Sequence, residues 1–379
     1  MVIHVIPAYK PAYIYGGPTV SVSSLCEELA KVQIEVQVLT TTANGRNEFE
    51  LKAEKGVILH HVKVNYFKRE LRGQVHLSIQ LLLFLYTLLK SNKSVVHIHS
   101  WWNATSILSC IIAISLKTKV VLSPRGMLTP YSLNNRHRIL KWLIHHILGK
   151  WLIKCCQIHA TTELERDDIL KLIAHNNIVV IPNYLKPSFS YKTAHTTKSG
   201  NKSSFRLLFL SRIEEKKGLD LLLSALPLLD FNCSLTIGGT GSEKYVQLLK
   251  KSIKTQEIKT KIDWVGFVNE RQRVNLLNTH DLLVLFSWNE NFANIVIESL
   301  SYGLPVALSC KVGLSDFVIA NDLGWVCDPN REAIAATIRD AWINETKRIA
   351  IRKKSKFVIE RSFHVKEILP KYISLYINK

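Results

Sequence analysis

Two acidic positions carry the first chemical signal in this chain. Glu290 and Glu298 stand eight residues apart in SWNENFANIVIESLSYGLPV, within a sequence of 30 acidic and 50 basic residues. Glu290 falls in a polar loop after the apolar run DLLVLF, whose length suits a buried strand. Glu298 falls in an apolar helical pattern, where a carboxylate is costly unless it finds a partner. The plain reading is a solvated loop acid and a surface helix acid. The sharper one is a ligand site at the carboxyl end of a parallel strand. There the backbone amides of Asn294 and Ile295, at a helix start, could hold a phosphate oxygen. Glu298 could accept from ribose hydroxyls and Glu290 could reach a sugar.

Two further stretches fit an anionic ligand. In SRIEEKKGLDLL, Arg212 closes a strand, and Lys216 and Lys217 precede Gly218 and a helix. Cations beside the positive end of a helix form an anion site, although a solvated turn of mixed charge reads equally well. In YGGPTVSVSSL, Gly16 and Gly17 let backbone N–H groups approach a phosphate, and the following helix aims its dipole there. GGTGSE, from Gly238 to Glu243, could be another close-approach turn. There is no GxGxxG or Walker sequence, and no Asp-x-Asp of the kind that holds a divalent ion against a diphosphate.

The elements that must position these groups alternate between strand-like and helical patterns throughout, which argues for α/β architecture with parallel sheets. The strand-like runs of the first half are VIHVIPA, IEVQVLTT, VILHHVKV, VVHIHS, KVVLSP, QIHATT and NIVVIPN. The polar stretch Tyr191 to Ser204 lacks hydrophobic periodicity and reads as a linker. The second half restarts with FRLLFLSRI, followed by CSLTIGG, KIDWVGF, DLLVLF, PVALS and GWVCD. A length of 379 residues suggests two domains. Two Rossmann-like domains facing across a cleft would place ligands beyond the carboxyl ends of the strands.

Bulk properties narrow the function classes. The formal charge is +20, and no Asp or Glu occurs from Leu71 to Thr162, a window that includes Arg72, Lys90, Arg125, Arg136, Arg138, Lys141, Lys150 and Lys154. A one-sign field of this kind calls for an anionic partner: nucleic acid, a phospholipid surface or a phosphorylated substrate. Nucleic acid is the weakest of these, because the basic region has no recognised reading motif and is broken by apolar runs. On a helical wheel of Arg136 to Cys156, Arg138, Lys141, Trp142 and His145 fall on one side, and Leu140, Leu143, Ile144 and Ile147 on the other. Such a helix is either a core helix with a solvated basic edge or a surface that docks on anionic lipid. The run Ile79 to Leu89 is too short to span a bilayer and reads as a buried helix. Val2 to Ile6 reads as a first strand rather than a leader, which implies a cytoplasmic protein. The seven cysteines include no CxxC pair and read as reduced structural thiols. His97 and His99 share one side of a strand, but without a third nearby ligand they read as structural rather than metal-binding.

Taken together, YIYGGPTVSVSSLCEEL, SPRGML, SRIEEKKGLDLLLSAL and ENFANIVIE leading into SLSYGLPV resemble, in order, the motifs of retaining glycosyltransferases of family 4. That family has the GT-B fold, and the SPRGML segment is similar to a bacterial surface-polysaccharide subgroup. The resemblance implies an N-terminal acceptor-binding domain over 1–190 and a nucleotide-sugar-binding domain over 205–360. A C-terminal helix over 361–379 would pack back on the first domain. The resemblance assigns diphosphate neutralisation to Arg212 and Lys217 without a metal or other cofactor, ribose binding to Glu298 and donor-sugar contact to Glu290. It places Gly17 against the diphosphate. It implies a UDP- or GDP-type donor and a glycan or lipid-linked acceptor, with the enzyme peripheral on the inner face of a membrane. Two positions depart from the pattern. Arg125-Gly126 stands where relatives have His-Gly, so Arg125 is expected to bind a phosphate or acidic group. Ala293 stands where glycine is frequent. A sugar-nucleotide epimerase on the same fold is the competing enzyme.

Overall fold

The computed structural model describes residues 1–45, 47–49, 56–70, 76–135, 137–175, 177–185, 204–256 and 258–377. Residues 191–203 of the expected linker, together with Arg72 and Arg136, lie outside the described residues. The chain forms two compact units, one of Met1–Tyr184 with Lys366–Lys379 and one of Leu185–Val365.

In the first unit the strands are β1 (Val2–Ala8), β2 (Val36–Thr41), β3 (Ala43–Asn44), β4 (Asn47–Glu48), β5 (Val57–Leu59), β6 (Val62–Phe67), β7 (Val95–His99), β8 (Lys119–Ser123), β9 (Gln157–Ala160) and β10 (Ile178–Val180). Eight of them form one sheet in the order β10-β9-β8-β7-β1-β2-β6-β5, and β3 pairs with β4. Every residue of β1 is buried, as a central strand covered on both faces requires. The sheet is parallel except for β5, which runs antiparallel to β6. Here the sequence reading of VILHHVKV as one run is corrected. His60 and His61 both have positive φ, 49° and 67°, and fold the run into a hairpin. That turn type usually carries Gly or Asn, so two histidines gave no turn signal. The helix Ile79–Ser91 is likewise not wholly buried. Leu81, Leu85 and Leu89 form one inward stripe at four-residue spacing, while Ile79, Leu83 and Tyr86 are exposed. The C-terminal helix Val365–Ile377 buries Ile368, Leu369, Tyr372, Leu375 and Tyr376.

The second unit contains β11 (Phe205–Leu210), β12 (Cys233–Gly238), β13 (Lys261–Gly266), β14 (Leu282–Leu285), β15 (Val306–Ser309) and β16 (Gly324–Cys327). They form a wholly parallel sheet in the order β13-β12-β11-β14-β15-β16. The chain winds outward from β11 to β13 and then returns to the other side of β11 at β14. The carboxyl ends of β11 and β14 therefore flank the point where strand order reverses, which is where open parallel sheets leave a crevice for ligands.

Candidate active site

The reversal point of the second unit brings together residues far apart in sequence. Lys217, after β11, forms an ion pair with Glu290, after β14. Both side chains are largely buried, at 9% and 16% exposure. The backbone makes this meeting obligatory. Gly218 has φ 65°, and a Cβ there would lie 2.0 Å from the carbonyl oxygen of Phe286, the residue after β14. Only glycine lets the two loops touch in this way. The Trp288 amide donates to the Lys216 carbonyl at 2.9 Å. On its far side, the Glu290 amide donates to the Lys311 carbonyl at 3.0 Å, and Gly313 N–H donates to the Glu290 carbonyl at 2.8 Å. Glu290 is thus held from both flanks.

Arg212 sits on the same loop as Lys217 and forms an ion pair with Glu214 at 2.5 Å. Burial lowers the Lys217 pKa well below the ordinary ammonium value, and the charges of Lys216 and Arg212 lower it further. Lys216 is lowered by burial first and by Arg212 second. Three cations crowded on one turn repel one another, and an incoming anion would relieve that repulsion. The GGTG turn does make a close approach, but to protein. A Cβ at Gly239 would lie 1.8 Å from the Ser211 carbonyl oxygen, so this turn braces the Arg212 loop.

The helix Asn294–Ser301 starts at the same crevice. Asn294 and Ile295 form its first turn, as their proposed amide role requires. Its N-cap is Ala293, in the left-handed region at φ 64° and ψ 74°. That conformation explains why glycine would suit this position, and an alanine there carries strain of about 1 kcal/mol. Glu298 already has a protein partner that the sequence did not suggest. Its Oε2 lies 3.3 Å from Nε of Arg273, on the helix Glu270–Thr279.

In the first unit, Gly16 has φ 71° and caps the helix Gly17–Lys31, with Pro18 in its first turn. Arg125 and Gly126 both have positive φ, 55° and 75°. The buried carboxylate of Glu165 fixes this turn by accepting from Gly126 N–H at 2.7 Å, Thr161 N–H at 2.7 Å and the Thr161 hydroxyl at 3.0 Å. Nothing in the sequence singled out Glu165. The Arg125 guanidinium donates to Asn183 at 2.9 Å, and its charge opposes the rise that burial gives the Tyr372 phenol pKa. Its partners are internal groups of its own unit, a role not foreseen from the sequence.

Arg125 also faces a cluster of buried histidines. The reading that His97 and His99 lack a third imidazole nearby is corrected by the strand order. His4 of β1 pairs in register with His97 of β7, and ring nitrogens of His4, His97 and His99 lie within 4.8 Å of one another. The Arg125 charge opposes a cation among them. Burial first, and then this charge, lowers the pKa of His4 and of His159 to about 3. His97 and His99 are lowered well below 6.5 by burial, with neighbouring imidazoles and Arg125 adding to it.

The hydrogen-bond order in this cluster follows from one anchor. The Ile181 carbonyl can only accept, so His159 donates to it from Nε2 at 2.8 Å. His159 Nδ1 then accepts from the Ser123 hydroxyl at 2.6 Å, and Ser123 accepts from His97 Nε2 at 2.6 Å. His97 Nδ1 is left to accept from the Tyr376 hydroxyl at 2.8 Å. A directional relay of neutral imidazoles therefore fastens the C-terminal helix to the sheet.

The basic helix takes a form different from the wheel expectation. Arg138–Ile144 runs through a π-helical turn, His145–Gly149, into Lys150–Lys154. His145 is the residue turned inward, at 2% exposure, with Leu152 and Ile153. Leu140, Trp142, Leu143, Ile147 and Trp151 are exposed, Ile147 by 79%. The segment thus packs inward through His145, Leu152 and Ile153, while Leu140, Leu143 and Ile147 meet solvent.

Sequence comparison agrees with this geometry. The family described as glycosyl transferases group 1 matches residues 192–357, and Glycosyltransferase Family 4 matches residues 15–188. Both halves of the chain thus match glycosyltransferase models, and together the matches support a group 1 glycosyltransferase. It is 23% identical to an uncharacterized glycosyltransferase of Methanocaldococcus jannaschii, over 86% of this chain and 85% of that one. It is 27% identical to the glycogen synthase of Mycobacterium tuberculosis over 51% of its own length, and spans only 47% of that relative. Among solved structures, Anabaena HepE in complex with UDP and glucose superposes with a TM-score of 0.75 at 16% identity, covering 99% of this chain and 98% of the other. That likeness establishes the GT-B architecture of two Rossmann-like domains.

Proposed function

We propose that this glycosyltransferase takes a hexose from a nucleoside diphosphate of the uridine or guanosine type. It would deliver the sugar, with retention and without a metal, to a glycan carried on lipid during surface polysaccharide assembly. The observation that carries the reading is the Lys217–Glu290 pair at the reversal point of the second sheet, beside Arg212 and the start of the Asn294–Ser301 helix. In the proposed reaction the bond from the anomeric carbon to the diphosphate oxygen breaks. The acceptor oxygen bonds to the same face, and its proton passes to the departing phosphate. Lys217 and Arg212 stabilise the charge that builds on the diphosphate. Glu290 stabilises the oxocarbenium-like sugar. Asn294 and Ile295 offer amides to a phosphate oxygen, and Glu298 accepts from the ribose hydroxyls. The Gly16–Gly17 turn suits a phosphate in the same way.

Calorimetry with UDP and GDP, followed by turnover assays with the corresponding sugars, tests the assignment. Glu290→Gln should keep nucleotide affinity and lose turnover by about 100-fold or more, the scale of one well-placed electrostatic group. Turnover near wild type would sink it. Activity should persist in EDTA. Conversion of donor without acceptor would favour an epimerase instead.

The membrane part of the proposal is supported by the exposed apolar face between Leu140 and Trp151 and the cations beside it, Arg138, Lys141, Lys150 and Lys154. Each cation near an anionic surface contributes about 1 kcal/mol. Among the described residues no helix is long and apolar enough to cross a membrane. Flotation with phosphatidylglycerol vesicles should fall when Arg138, Lys141 and Lys150 are neutralised; equal flotation would count against docking.

A further inference from the structure

Glu298 is the one proposed ligand carboxylate that lies in an apolar helix, and the structure shows how that position is sustained. Val296, Ile297, Ser299 and Leu300 around it are buried, and Glu298 itself is 9% exposed. Arg273 reaches it from the neighbouring helix, with Nε 3.3 Å from Oε2. That helix is rigid at its start. Asn269 accepts from the Gln272 amide at 2.9 Å, and the Gln272 side chain accepts from the Asn269 amide at 3.0 Å, a reciprocal cap one residue before Arg273. Tyr302, which caps the Asn294–Ser301 helix, completes the cluster. Its phenol pKa is raised by burial and then by the charge of Glu298, with Arg273 opposing and Glu270 adding to the rise.

We propose that Arg273 is a positioning residue for the nucleotide: it fixes the plane of the Glu298 carboxylate so that the vicinal hydroxyls of a ribose meet an ionised acceptor already aimed at them. The inference rests on the assignment of Glu298 to the ribose. The 3.3 Å approach of Nε to Oε2 is a charge contact without hydrogen-bond geometry, so it does not use up any of the carboxylate's about four acceptor positions. The cation also offsets the cost of keeping that carboxylate in an apolar helix. Arg273 itself touches neither the sugar nor the breaking bond. Its effect should therefore appear in nucleotide affinity and in discrimination between ribose and deoxyribose, while turnover at saturating donor stays unchanged. A planar guanidinium fixes an orientation that a lysine ammonium cannot, so Arg273→Lys should recover only part of the discrimination.

The test is calorimetric, on the full chain, with UDP, 2′-deoxy-UDP, GDP and 2′-deoxy-GDP as probes. In wild type, the ribose form of whichever base binds should be preferred by about 10-fold or more, as expected for a hydroxyl bonded to a charged group. Glu298→Gln should abolish most of that preference. Arg273→Ala should lower it about 3- to 10-fold, and the double variant should be no worse than Glu298→Gln alone, the non-additivity expected of a pair acting as one unit. If Glu298→Gln abolishes the preference and Arg273→Ala leaves it at the wild-type value, the positioning role is overturned. If Glu298→Gln itself leaves the preference intact, the ribose assignment fails, and the positioning role fails with it. A thermal melt of each variant without ligand checks folding. Should Arg273→Ala unfold, Arg273→Lys carries the same reading, and a full wild-type preference with an unchanged dissociation constant in that variant would overturn the proposal.

Discussion

Both sheets of this protein reverse strand order, and the two reversal points handle polar groups in opposite ways. In the second unit the loops and helices around β11 and β14 hold charges: Lys217 against Glu290, Arg212 against Glu214 and Arg273 against Glu298. In the first unit β1 and β7 hold His4, His97 and His99, all fully buried and all neutral at physiological pH, in line with His159 and Ser123. The difference teaches what each place is for. Charges that remain partly exposed can exchange partners with a ligand. Neutral imidazoles buried in the sheet cannot, and His97 and His159, whose tautomers the relay fixes, serve as a polar core that helps specify one packing.

The comparison breaks most visibly in acid. Folded-state pKa values of the four imidazoles are depressed, so between the unfolded value of 6.5 and the folded values, about 3 for His4 and His159, the unfolded chain binds more protons. Stability is therefore fully present above pH 6.5 and falls as pH falls through that window. At pH 5.5 each imidazole subtracts about 1.4 kcal/mol, about 6 kcal/mol for the four. Hydrogen exchange of peptides covering 2–8 and 95–99 should accelerate between pH 7.5 and 5.5 beyond the intrinsic pH effect, while peptides covering 205–210 change less. Equal change in both would erase the contrast.

A charge removed from the second unit should come next in size. Lys217→Met leaves Glu290 largely buried without its cation and should cost about 3 kcal/mol, with Lys217→Met/Glu290→Gln recovering most of it in chemical denaturation. A double variant no better than the single one would mean the pair is not coupled. Tyr376→Phe should cost about 1–2 kcal/mol by leaving His97 Nδ1 without a donor, and no change in the denaturation midpoint would remove the relay from the account. Smallest is Ala293→Gly, which relieves the left-handed alanine and should raise stability by up to about 1 kcal/mol in the same assay.

The fold was largely legible. Parallel sheets covered on both faces demand continuous apolar runs, and the runs named from the sequence contain the strands of both large sheets. The exception, VILHHVKV, failed because its turn is made by two histidines in a conformation that usually announces itself with glycine. The charged loops were legible for a different reason: Arg212, Lys217 and Glu290 stand next to strand ends, so sequence position alone puts them near the crevice. Arg273, Glu165 and His4 were not legible. Each acts on a partner supplied by another element, and only strand order or helix packing makes them neighbours. Ala293 is intermediate. The sequence marked it as unusual, but only its φ shows that the cost lies in the backbone.

The bond from Tyr376 to His97 joins residues 279 positions apart, and the whole of Leu185–Val365 lies between them in the chain. During synthesis the sheet of the first unit emerges early, yet its helix Val365–Ile377 arrives only after the second unit has left the ribosome. Closing so long a loop brings its own entropic cost, which the second unit reduces by folding first and shortening the span to be searched. The first unit should therefore begin folding first and finish last, its histidines open to water until the final helix docks.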